Sequence, residues 1–185
     1  MSTMPAAVNT ALGLIQCHEI PVPEPTLGKV LVKTNLASIC GSDIHIVCMG
    51  WNVKEYPLPP GYPGHEAVGE VVDGGDTEFT PGDLVLTVPR IWDARAFAKY
   101  QIIDPRQLLR LSGTKPLSEL LMAQQLGTVV FGCKRLPPLQ GLTVLVIGQG
   151  SVGLFHDFML RRLGARKIIA IEPIRERMSA GKSLG

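Results

Sequence analysis

Two short motifs of this 185-residue sequence gather a thiol, imidazoles and a carboxylate: Cys40-Gly41-Ser42-Asp43-Ile44-His45 and Gly61-Tyr62-Pro63-Gly64-His65-Glu66. Those three side-chain types satisfy a tetrahedral zinc ion. Donors drawn from two separate turns build an open, catalytic kind of metal site, whereas a closed structural site pairs close cysteines, and no C-x-x-C occurs in the chain. Taken singly, Cys40 reads as a small buried hydrophobe and His65 as a hydrogen-bonded loop residue. The two motifs together favour metal chemistry.

A second constellation lies late in the chain. Gly148-Gln149-Gly150-Ser151-Val152-Gly153 directly follows the apolar run Thr143–Ile147, and then Val152, Phe155, Met159 and Leu163 recur at helical spacing until Gly164. Lys167–Ile171 reads as a second strand ended by Glu172. Glycines in this pattern are weak alone, but between a strand and a helix they form a dinucleotide-binding context. Gly148 permits the tight turn, Gly150 admits a pyrophosphate and Gly153 lets helix and strand approach. Gly148, Gly150, Val152, Gly153 and Glu172 are the candidate cofactor contacts. The Glu172 carboxylate suits ribose hydroxyls and repels a 2′-phosphate, which favours NAD over NADP, although Arg175 stands close by in sequence.

The elements that must position these groups differ between the halves of the chain. From residue 6 to about 111, short β-branched or alternating runs such as Val30–Thr34, Ala67–Val72 and Asp83–Val88 are broken by Gly and Pro, as in an all-β, barrel-like module. The segment from Leu117 to about Arg135 has helical composition, with Ser118 as a candidate cap and Pro137-Pro138 as its stop. Thr143–Ile147 is the continuous apolar strand that parallel sheets bury on both faces. The expected class is therefore α+β and α/β: a β-barrel domain over residues 1–115, a helical bridge over 116–140 and a partial βαβ unit over 141–185.

The order of the motifs resembles the zinc-dependent medium-chain alcohol and polyol dehydrogenases, whose N-terminal domain is GroES-like and whose second domain is a Rossmann fold. Further residues carry the resemblance: Gly61-Tyr62-Pro63-Gly64-His65-Glu66-Ala67-Val68-Gly69-Glu70-Val71-Val72, Gly82-Asp83-Leu84-Val85, and the opening Ile20–Pro25 and Gly28–Lys33. It implies that Cys40 and His65 ligate zinc, with Glu66 as a third ligand or a nearby carboxylate. It further implies that Asp43 orients a ligand, and that Ser42 and His45 relay the alcohol proton to solvent. The implied reaction is hydride transfer between an alcohol or polyol and a nicotinamide cofactor, for which zinc would polarise the alcohol oxygen.

Three features depart from the pattern. Gln124 stands where relatives supply a further ligand, and an amide oxygen is a poorer zinc donor than a thiolate or carboxylate. Pro89–Phe97 holds no cysteine, so no structural zinc is expected. The chain also reaches only the helix after the second Rossmann strand, so it is expected to lack activity alone and to leave a sheet edge for a homo-oligomer or a partner chain to cover. A zinc-free reductase and a non-catalytic binding module remain as alternatives.

Bulk composition excludes other classes. A net charge of +2 argues against nucleic acid as partner, and 45% hydrophobic with 18% charged residues describes a folded domain. The basic residues Arg161, Arg162, Arg166, Lys167, Arg175 and Arg177 fit helix ends and faces. Four scattered cysteines suggest reduced thiols, and neither a signal peptide nor a membrane span is legible, which makes the cytoplasm the expected compartment.

Overall fold

Alternation of apolar and polar residues generates seven strands in the first part of the chain: β1 (Thr3–Ala11), β2 (Leu14–Pro21), β3 (Val30–Ser38), β4 (Glu66–Asp73), β5 (Leu84–Thr87), β6 (Tyr100–Ile103) and β7 (Leu108–Arg110). A computed structural model describes residues 2–183, which divide into one unit extending to Gln124 and another beginning at Gln125. β1 and β2 form a hairpin turning at Gly13, whose φ of +73° suits glycine. The remaining strands pair antiparallel in the order β6-β3-β4-β5-β7. Their inward side chains Val30, Val32, Val71, Val85, Ile103 and Leu108 close over Phe79 to form a core.

The barrel-like wrap is open among the described strands. Its ladder ends at β6 and β7, while β1 joins through main-chain bonds such as Ala7 N–H to Phe97 O at 2.9 Å. Alternation specifies which face of a strand is buried; closure depends on tilt and register around the whole sheet.

Helix α1 (Gly41–Met49) interrupts β3 and β4, starting at the Cys40 cap and ending at Gly50 in the left-handed region. It buries Asp43, Ile46 and Val47. Helix α2 (Leu117–Cys133) occupies the segment read as helical and, within the first unit, packs Leu121 against Val68 and Leu86.

The second unit contains β8 (Thr143–Ile147), α3 (Ser151–Arg162), β9 (Lys167–Ile171) and α4 (Arg175–Ser183). β8 and β9 run parallel in unbroken register from Thr143↔Lys167 to Ile147↔Ile171, which makes a βαβ unit. Two expectations are corrected here. β8 is not buried on both faces: Leu145 and Ile147 are 53% and 78% exposed, and their β9 neighbours Ile169 and Ile171 are exposed as well. The described residues supply no second layer over that face. On α3, the sequence stripe does not mark the inward face either, since Val152 and Leu163 are exposed whereas Asp157 and Leu160 are buried. The tight approach of Gly153 to the preceding turn sets the helix rotation, and Asp157 lies one turn further along the same side. No described helix is long and apolar enough to cross a membrane.

Candidate functional site

The first unit brings Cys40, His65 and Glu66 together: one ligand atom from each lies within 4.8 Å of the others. Cys40 is held at the α1 N-terminus, His65 follows a loop strapped by Gly61 N–H to Ala7 O at 2.8 Å, and Glu66 begins β4. Asp43, only 2% exposed, connects the first two. One of its oxygens accepts the Cys40 backbone N–H at 2.8 Å and the other faces His65 Nδ1 at 3.0 Å. With Nδ1 so engaged, Nε2 is the ring nitrogen turned toward Glu66, 3.9 Å from its Oε1. Burial alone would lower the His65 pKa, but the hydrogen bond and charge of Asp43, with Cys40 adding to them, outweigh it and raise the value to about 9. A metal ion held by this ring would have to displace that proton.

Glu66 is buried, and the Ser38 hydroxyl donates to its Oε2. Ser38 escaped the sequence reading. It stands at the end of β3 directly opposite Glu66, a neighbourhood set by strand register rather than by spacing along the chain. Gly64 is required for a similar reason, because a Cβ there would meet the Phe97 ring and backbone at 2.8 Å.

Ser42 and His45 lie on α1 and line a cavity of about 450 Å³ with Met49 and Trp51. Trp51 stacks on Trp92, with ring centroids 6.2 Å apart and planes inclined by 26°. Half-exposed indoles of this kind form an apolar wall with a π face. Trp92 was also missed, since it joins Trp51 only through the fold. Gln124 stands within α2, outside the three-residue cluster.

In the second unit Gly148, Gly150, Val152 and Gly153 share a groove of about 650 Å³ above β8. Gly148 has φ +95°, and a Cβ on Gly153 would come within 2.0 Å of the Gly148 carbonyl oxygen. Gly150 is different: a Cβ there meets nothing within 4 Å and would point into open space. Glu172 reaches back to the turn, where Oε2 accepts the Gln149 backbone N–H and Oε1 that of Ile174, each at 2.8 Å. These backbone bonds hold its carboxyl below the usual carboxylate range.

Residues 26–113 match the alcohol dehydrogenase GroES-like domain. The sorbitol dehydrogenase of Bombyx mori is 27% identical over 207 residues, an overlap covering 97% of this chain and 60% of that protein. The L-threonine 3-dehydrogenase of Caldanaerobacter subterraneus is 32% identical, covering 90% of this chain and 55% of that one. The chain is thus similar in sequence to zinc-type alcohol dehydrogenase-like, sorbitol and threonine dehydrogenases. A solved structure from Sinorhizobium meliloti, described as a zinc-binding dehydrogenase bound to NADP, superposes with a TM-score of 0.84 at 24% identity, covering all of this chain and 60% of that one. The chain spans about 55–60% of the length of these relatives.

Proposed function

We propose that the chain forms the metal-holding and adenosine-holding parts of a dehydrogenase that moves hydride between an alcohol or polyol and a nicotinamide cofactor. The convergence of Cys40, His65 and Glu66 within 4.8 Å carries this reading, because thiolate, imidazole and carboxylate are the mixed donors of a catalytic zinc. A zinc ion held there would supply Lewis acidity that lowers the pKa of an alcohol. Asp43 fixes the tautomer and ring orientation of His65, and Ser38 holds the Glu66 carboxylate. Ser42 and His45, at the cavity beside Trp51, are placed to pass the substrate proton outward from hydroxyl to imidazole. Trp51 and Trp92 offer the apolar wall against which the carbon skeleton of a substrate rests.

On the dinucleotide side, the groove over Gly150 receives the diphosphate at the α3 N-terminus, and Glu172 accepts from the adenosine ribose. NAD is the cofactor this reading prefers, because an ionised Glu172 repels a 2′-phosphate. Zinc analysis of the dialysed full chain tests the metal half: about one zinc per chain is expected, and none would sink it. Titration with NADH and NADPH tests the other half. Glu172→Ser should weaken NADH binding and relatively improve NADPH; an unchanged ratio removes Glu172 from ribose recognition. The exposed face of Leu145, Ile147, Ile169 and Ile171 is where a second copy or another chain would pack, and the setting is cytoplasmic.

A further inference from the structure

The first unit holds a cavity of about 840 Å³ that none of Cys40, His65 and Glu66 lines. Its size suits a small organic ligand. The floor is apolar: Met4 and Ala98 are buried, and Ile20 and Tyr100 pack against them. The charged lining is lopsided, because Lys29, Arg90, Arg95 and Arg106 stand against only Asp93 and Asp104, an excess of two positive charges.

The two carboxylates do not absorb that excess. Arg106 alone spans both oxygens of Asp104, at 2.9 and 2.8 Å, so Lys29 Nζ at 3.0 Å is a second cation on one carboxylate. Arg90 and Asp93 form no ion pair among the described residues. Arg95 is half-buried, and its Nη1 donates to the carbonyls of Trp92 and Ala94. Its Nε–H and Nη2 groups have no protein acceptor among the described residues. Burial lowers the Arg95 pKa by more than Asp93 and Tyr62 raise it, as for a cation short of counter-charge.

Arg95 also backs the loop that leads to His65. Ala96 N–H donates to Gly64 O at 2.9 Å, Phe97 N–H donates to Gly61 O at 3.1 Å, and the guanidinium lies 5.6 Å from the centre of the Tyr62 ring. An occupant of the cavity would therefore bear on the back of that loop.

We propose that this cavity binds a small organic phosphate, at a site separate from the candidate metal donors and from the glycine turn. Arg95 is the anchoring donor, Arg90 and Lys29 add charge, and the carbon body of the ligand rests on the floor of Met4, Ile20, Ala98 and Tyr100. A phosphate monoester carries about −1.5 to −2 charges at neutral pH, which matches the excess in the lining. A guanidinium with N–H groups to spare fits its oxygens, and an apolar floor rewards a ligand that brings a carbon body with its charge.

The test follows amide NMR shifts of the full chain during titration with phenyl phosphate, whose ring and phosphate suit the two halves of the cavity. Shifts should cluster at residues 90–98 and 100–102, and the saturable binding should weaken as salt is added. Inorganic phosphate lacks the body and phenol lacks the charge, so each should bind at least about tenfold more weakly. Arg95→Gln should raise the phenyl phosphate Kd about tenfold, and Arg90→Gln or Lys29→Gln about threefold, as charge-assisted contacts are lost. Should Arg95→Gln disturb its loop, the double variant Arg90→Gln, Lys29→Gln decides instead, and an unchanged Kd there refutes the site. Inorganic phosphate binding as tightly as phenyl phosphate would take the apolar floor out of the site and overturn the proposal. Shifts centred on residues 148–153 or 40–45 would put the phosphate on the glycine turn or among the candidate metal donors. That result, or no saturable shift at all, also overturns it.

Discussion

The two candidate sites are built from opposite materials. In the first unit the reactive groups are side chains, Cys40, His65 and Glu66, and each is anchored by another side chain or by the strap around Gly61. In the second unit the binding groups are mostly backbone, exposed where side chains are missing at Gly148, Gly150 and Gly153. The first arrangement is partly buried and over-determined: Asp43 alone restrains two of the three candidate donors. The second lies beside a two-stranded sheet with an exposed apolar face. A site made of side chains fails when a donor is removed, whereas a site made of backbone fails when an atom is added.

The largest effect expected from that contrast is deletion of a donor. Cys40→Ala should reduce retained zinc from about one per chain to background in metal analysis, while leaving ADP-ribose binding intact. Zinc retained at the parental level would show that the cluster is not the metal site. Asp43→Asn comes next, because it keeps the donors but removes the charge beside His65 and leaves one acceptor oxygen where Cys40 and His65 now each have one. A loss of about 10–100-fold in zinc affinity by competition with a chelator is expected, in the range typical for residues that hold metal ligands. Retained affinity would mean that the Gly61 strap and β4 position the ligands without Asp43.

How much of this was legible follows the same division. Cys40, His65, Glu66 and the glycine turn are short motifs whose residue types announce their chemistry, and Asp43 sits inside one of them. Ser38 and Trp92 are not legible in that way, because each reaches its partner through a sheet register or a loop path that spacing does not encode. The exposure of Leu145 and Ile147 was misread since an apolar run reports what a strand prefers to bury, not what lies against it. Asp157 was missed for the converse reason: a charged residue between Phe155 and Phe158 reads as solvent-facing, yet the Gly153 contact turns it inward.

Adding atoms to the turn should separate two glycines that the motif treats alike. Gly153→Ala drives a Cβ into the Gly148 carbonyl and should destabilise the second unit by about 1–3 kcal/mol, the usual range for overpacking, with a lower unfolding midpoint in urea. Gly150→Ala meets no protein atom, so stability should hold while ADP-ribose binding weakens, because the new methyl occupies space the diphosphate would approach. If both variants lose only stability, the groove over Gly150 is not where a ligand lies.

The smallest effect expected is electrostatic and separates the scaffold of the first unit from its site. Asp104 accepts from Arg106, through its side chain and backbone, and from Lys29 Nζ at 3.0 Å, and these bonds hold its carboxyl far below its ordinary value of 3.8. A carboxyl whose folded pKa is depressed contributes stability that is fully present above its unfolded value and is lost as pH falls through the folded one. The Asp104 contribution should therefore be constant from neutrality down to about pH 4 and fade only below it. Comparing urea midpoints of the parent and Asp104→Asn should show a small, pH-independent gap from pH 7 to 5 that narrows below pH 4. Because Asp104 bonds to exposed partners, added salt should shrink the gap as well. A gap that widens in acid would reverse the sign and place the protonated form of Asp104 in the fold. One that vanishes at pH 7 would leave the Lys29–Asp104–Arg106 ion pairs as surface contacts without influence on the sheet that carries the candidate donor Glu66.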